Sequence, residues 1–247
     1  MKAYVLAAGY ATRMYPLTRD FPKALLEVGG LPIISHLMRR LRALERLTDV
    51  VLVTNDRFYD RFLEWTAAQE PWVRFTVLHD GTFSNETRLG ALGDLRFALE
   101  EVPIEDDHAI VLASDHLFDI DLEEVHREFL ERGRTTMLVR KVELPDGPSP
   151  YSEVTLDGEG RVVRMREKPS DPQTDLSAIA LYFLPAGDLA LLDEYLEEGD
   201  HDAPGHFLAW LVERVPCFAT QFRSRWFDIG SIESFEEAKS LFERGDP

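Results

Sequence analysis

Apolar residues along the chain fall into short continuous runs that alternate with looser repeats every three to four positions. Runs at residues 4–8, 50–54, 75–78 and 109–114 predict strands. Between them, residues 32–47, 57–68 and 89–100 carry the helical repeat. Pro32 suits a first helical turn, where its missing N–H costs nothing. Strands alternating with helices predict βαβ units and a mainly parallel sheet. An uninterrupted run such as Ala-Ile-Val-Leu-Ala at 109–113 suits a strand covered on both faces.

The second half changes character. Residues 135–142 predict a strand, and Leu-Pro-Asp-Gly-Pro-Ser-Pro at 144–150 ends the pattern. Two short runs at 154–156 and 162–165 flank Asp157-Gly158-Glu159-Gly160, a hairpin turn. A strand at 178–184, helix at 186–197, helix at 207–214, strand at 217–222 and helix at 234–244 complete the prediction. No repeat or long linker divides the chain, so residues 1–247 are expected to form one α/β domain. Its two halves, 1–134 and 135–247, would then serve one site, with a small β-rich lobe inserted in the second.

The chain's 247 residues can bury a sizeable core unaided. Its 27 Lys and Arg against 45 Asp and Glu leave a net charge of −18, which would repel a nucleic-acid backbone. Cys217 is the only cysteine, so an internal disulfide and a cysteine-built zinc site are excluded. Neither a long apolar run nor a signal-peptide pattern is present, which predicts a cytoplasmic protein without membrane contact. A homo-oligomer is compatible with the composition, which carries no signal for or against one. An anionic ligand would need local cations gathered against this overall field, or a divalent metal.

Such cations occur after the first strand, in Leu6 to Val28. Gly9 and Ala11 are small, so backbone N–H groups can approach a ligand closely and form a concavity suited to phosphate. Arg13 can fork onto phosphate oxygens, while Lys23 offers a point charge on a flexible stem. Neither GxGxxG nor GxxxxGK[ST] is present, which removes a nicotinamide-binding or P-loop reading.

The stretch Gly9-Tyr10-Ala11-Thr12-Arg13-Met14-Tyr15-Pro16-Leu17-Thr18, followed by Pro22-Lys23, resembles the opening of the sugar-1-phosphate nucleotidyltransferases, or NDP-sugar pyrophosphorylases, of glucose-1-phosphate thymidylyltransferase-like type. Ala11 departs from the pattern, replacing its second glycine and adding a methyl to the loop. The resemblance extends over nearly the whole chain. It implies a Rossmann-like, glycosyltransferase-A-like central sheet with helices on both faces and a sugar-binding lobe. It places Leu6, Ala8, Gly9, Ala11 and Thr12 against the nucleotide. Asn85 and Gly90 fall where the family carries a base-reading glutamine and a glycine five residues later. Asp115, expected to end the fourth strand, and Asp228 inherit the role of magnesium ligands. Glu167 and Lys168 match the residues at the sugar hydroxyls and the sugar phosphate, with Tyr151 nearby. Ser152 and Ala180 stand where glycines are common and would crowd a hexose. Of the seven histidines, only His116 adjoins a site residue, and a turn or surface role is expected of it. Trp226 and Phe227 read as core.

The implied reaction joins a nucleoside triphosphate to a sugar 1-phosphate with Mg²⁺. Arg13 would neutralise the departing pyrophosphate, Lys23 the α-phosphoryl group and Lys168 the incoming phosphate. Positioning and electrostatics carry such a transfer, so no covalent nucleophile is needed. Three rivals remain at this level. One is a cytidylyltransferase acting on phosphocholine, inositol phosphate or another phosphomonoester. Another is a non-catalytic nucleotide-sensing module, for which both carboxylates and both lysines would be superfluous. A glycosyltransferase would usually show Asp-x-Asp at the strand end. Here Asp119-Ile120-Asp121 lies farther along and starts a helix.

Overall fold

Residues 1–104 and 108–243 are described by a computed structural model. In the first half β1 (Lys2–Leu6) is followed by a two-strand ribbon of β2 (Glu27–Val28) and β3 (Leu31–Pro32). Next come α1 (Ile33–Leu41), β4 (Asp49–Thr54), α2 (Tyr59–Ala67), β5 (Arg74–His79), α3 (Ala91–Glu101), β6 (His108–Ala113), β7 (His116–Phe118) and α4 (Leu122–Arg132). The second half holds β8 (Thr136–Lys141), the hairpin β9 (Glu153–Leu156) and β10 (Val162–Arg166), and β11 (Leu176–Pro185). It continues with α5 (Ala186–Leu189), α6 (Leu192–Leu196), α7 (Pro204–Val212), β12 (Phe218–Gln221), β13 (Trp226–Asp228) and α8 (Ile232–Glu243).

Seven strands form one sheet in the order β12-β8-β11-β6-β1-β4-β5. All neighbours are parallel except β11, which runs antiparallel to both β6 and β8. The sheet therefore crosses from the first half of the chain into the second at β6 and β11. Alternation along its strands feeds two cores. Val5, Leu52, Ile110 and Leu112 face α1, α2 and α4, while Tyr4, Val51, Val53 and Val111 face α3 and α7. A third cluster ties Met14, just after the first strand, to Leu117, Ile229 and Phe235 of α8.

Several predicted elements have different bounds. The helix expected over 32–47 ends at Leu41, where it gives way to turns, and Pro32 stands one residue ahead of it. The helix expected over 186–197 is two short helices, α5 and α6. β6 stops at Ala113, so Asp115 lies in the turn before β7 and does not end the strand. The predicted end of the last helix, Arg244, lies outside the described residues. Among the described residues no helix is long and apolar enough to cross a membrane.

Candidate active site

The chain leaves β1 under tight control. The Ala7 N–H continues the ladder to the Val53 carbonyl (2.8 Å), and buried Asn55 donates its Nδ2 to the Ala8 carbonyl (2.9 Å). Beyond Gly9 the backbone turns through Ala11, at φ 46° and ψ 44°, into a 3-10 turn over Thr12–Met14. That left-handed conformation is uncommon for a residue with a β-carbon. It is held by buried Thr18, whose hydroxyl donates to the Ala11 carbonyl (2.8 Å), and by Met14 in the third core cluster. Leu6, Ala8, Gly9, Ala11 and Thr12 thereby line a cavity of about 550 Å³, together with Arg13, Lys23, Asn85 and Gly90. Gly90 is required on two counts. Its φ is +81°, and a β-carbon there would run into the His201 carbonyl.

On the far side of Arg13 a second cavity, of about 650 Å³, holds Tyr151, Glu167 and Lys168. The Glu167 side chain is 7% exposed, its Oε2 accepts from the Ser152 hydroxyl (2.5 Å), and its Oε1 lies 3.6 Å from Lys168 Nζ. Lys168 itself is left-handed (φ 42°), the second such residue with a side chain among those described at the site. A β-carbon on Gly205 would collide with Glu167, so the first turn of α7 packs directly over that carboxylate. Tyr151 packs edge-on against Trp226, centroids 5.6 Å apart.

The two cavities meet at Asp115. Arg13, Ala113, Asp115, Ala180 and Pro204 line both. β7 and β13 pair with His116 opposite Asp228, and the Ile229 N–H donates to the Asp115 carbonyl (3.1 Å), which brings the two aspartates together. Lys23 Nζ donates to Asp115 Oδ2. Burial would raise the Asp115 carboxyl, but the Lys23 ammonium and His116 outweigh it and hold it below the usual carboxylate range. Asp228 is pushed the other way, by burial first and then by the Asp115 charge. These groups suit a divalent cation. Asp115 Oδ1 is buried without a hydrogen-bond partner, and two carboxylates in mutual repulsion are what a shared cation relieves.

A family model described as Nucleotidyl transferase matches residues 2–245. The chain belongs to the nucleotidyl transferase family. A UTP–glucose-1-phosphate uridylyltransferase of Synechocystis sp. is 26% identical over 248 residues, spanning 96% of this chain and 62% of that protein. A mannose-1-phosphate guanyltransferase of Debaryomyces hansenii is 27% identical over 250 residues, spanning 98% of this chain and 64% of that one. The nucleotidyl transferase chain thus spans less than two thirds of the length of these curated relatives. Its fold is shared with an apo UDP-glucose pyrophosphorylase, at a TM-score of 0.83 and 20% identity, covering 100% of this chain and 99% of that one.

Within this nucleotidyl transferase, one residue departs from its expected place and another carries no signal in the sequence. His116 is buried in β7 beside Asp115, where a turn or surface role was expected. Trp226 packs on the first core as expected and also lines the second cavity. Asp94 belongs to no motif in the sequence. It lines the first cavity, nearly buried, and burial together with the Asp80 carboxylate raises its pKa to about 8. Only the strand register and the packing of α3 bring these groups to the site, and neither is written in a local motif.

Proposed function

We propose that the protein transfers a nucleotidyl group from a nucleoside triphosphate to a sugar 1-phosphate, releasing pyrophosphate. The observation that carries this reading is the confluence of two chambers at Asp115. One is lined by the loop after β1, the other by Glu167 and Lys168. A phosphate oxygen of the acceptor attacks the α-phosphorus, a new P–O bond forms, and the bond to the β-phosphate bridging oxygen breaks opposite it. Lys168 holds the attacking phosphate, and Arg13, on the wall common to both chambers, meets charge on the departing pyrophosphate. Lys23 has two duties. It keeps Asp115 ionised and, from the wall of the first chamber, would neutralise the α-phosphoryl group. A divalent cation such as Mg²⁺ on Asp115 and Asp228 would spread the charge of the transferring group. The attacking oxygen is already ionised, so no general base is required.

The relatives named above share a sugar 1-phosphate substrate and differ in the base, so the base is the open variable. A panel of triphosphates against sugar 1-phosphates, phosphocholine and inositol phosphate, followed by pyrophosphate release, tests the reading. Turnover with a sugar 1-phosphate is expected, and turnover confined to a non-sugar acceptor would overturn it. Asp115→Asn should lower kcat by about 100-fold or more, since an electrostatic group is lost where charge develops. Lys168→Ala should cost about 10- to 100-fold in kcat/KM for the acceptor, with triphosphate binding spared.

A further inference from the structure

The divalent centre in the reading above has two oxygen donors, and a nitrogen donor stands beside them. We propose that His116 is a third ligand of that centre, and that it tilts the metal preference from magnesium toward borderline ions such as cobalt or zinc. Donor atoms of Asp115, His116 and Asp228 all lie within 4.8 Å of one another. His116 Nε2 is 3.8 Å from Asp115 Oδ1, too far for a hydrogen bond, and that oxygen has no other partner. Asp115 Oδ2 is already taken by Lys23. Thus the free carboxylate oxygen and the ring nitrogen stand 3.8 Å apart without a hydrogen bond between them, a spacing that two ligands of one ion can hold.

The imidazole is also held in place. His116 is 6% exposed, opposite Asp228 in the β7–β13 pair, with its ring edge-on to Trp226 at 5.3 Å. No hydrogen bond commits its Nδ1 elsewhere. A preformed nitrogen donor matters because the two kinds of ion differ in what they accept. Magnesium takes oxygen ligands in near-ideal octahedral geometry and keeps much of its water. Imidazole instead favours later first-row ions. Any N/O site binds cobalt more tightly than magnesium, so the signature lies in how far the difference depends on His116.

The inference rests on Asp115 and Asp228 holding an ion, and direct binding separates the two claims. The purified chain, stripped with chelator, is titrated calorimetrically with Co²⁺ and with Mg²⁺, alongside His116→Asn and Asp228→Asn. His116→Asn should weaken cobalt binding by about 10- to 100-fold and magnesium binding by less than about threefold, while Asp228→Asn weakens both. X-ray absorption of the wild-type cobalt complex should show imidazole scattering, a readout that needs no variant to fold. Unchanged cobalt affinity in His116→Asn, or a cobalt shell without imidazole, overturns the His116 assignment and leaves the carboxylate centre standing. Binding of neither ion by the wild-type chain removes the centre and the inference with it.

Discussion

Ala11 turns the chain at the mouth of the nucleotide chamber in a conformation that crowds its own methyl, at a cost of about 1–2 kcal/mol. Thr18 and Met14 hold it there, so tertiary contacts offset local preference. Ala11→Gly should relieve the crowding but add freedom to the unfolded chain, for a net gain of at most about 1 kcal/mol. Thermal unfolding should register this as a rise of about 2–4 °C, and a fall would mean that the methyl makes contacts worth more than the strain. The loop itself was legible because its small and basic residues are contiguous, from Gly9 to Lys23. Asp94 and His116 were not, since a lone acid on a helix or a lone histidine in a strand carries no meaning until its neighbours are known.

Between α4 and β6 the joint is a pair of histidines. His108 and His126 share one hydrogen bond between their Nε2 atoms (2.9 Å), and His126 stacks on Phe183 of β11. One ring nitrogen must donate and the other accept, so the accepting nitrogen carries no proton. Burial, with His108 beside it, lowers the His126 pKa to about 4. The unfolded chain then binds more protons than the folded one between about pH 6.5 and 4, so stability is present above that window and lost as the pH falls through it. His126→Phe should flatten the pH dependence of denaturant unfolding over this range, and an unchanged slope would assign acid sensitivity to other groups. At this scale most elements could be read from periodicity, including the parallel direction of β1, β4, β5 and β6. The reversal of β11 could not, because a doubly buried strand has the same pattern in either direction. The short β7 and β13 also escaped, each being three residues whose pairing is set by tertiary contact.

The molecule as a whole carries −18, yet Arg13, Lys23, Arg88 and Lys168 gather at the two chambers. Distant charge repels an incoming triphosphate, while at the chambers Lys23, Arg88 and Lys168 are paired with Asp115, Asp202 and Glu167, so attraction acts only at short range through individual donors. Salt cuts off the distant part first, because the screening length falls from about 30 Å at 0.01 M to about 8 Å at 0.15 M. Association of a triphosphate should therefore accelerate over that range of ionic strength, opposite to ordinary electrostatic steering. Stopped-flow rates that fell with salt would show local cations governing capture from the outset.

The register of β11 against β8 slips between Ala178 and Tyr182, and Ala180 lies within that irregular stretch, forming part of the partition between the chambers. Donor and acceptor selectivity are consequently not independent properties of this protein. Shaving the partition to admit a bulkier sugar would loosen the grip on the nucleotide, and enlarging it would squeeze both at once.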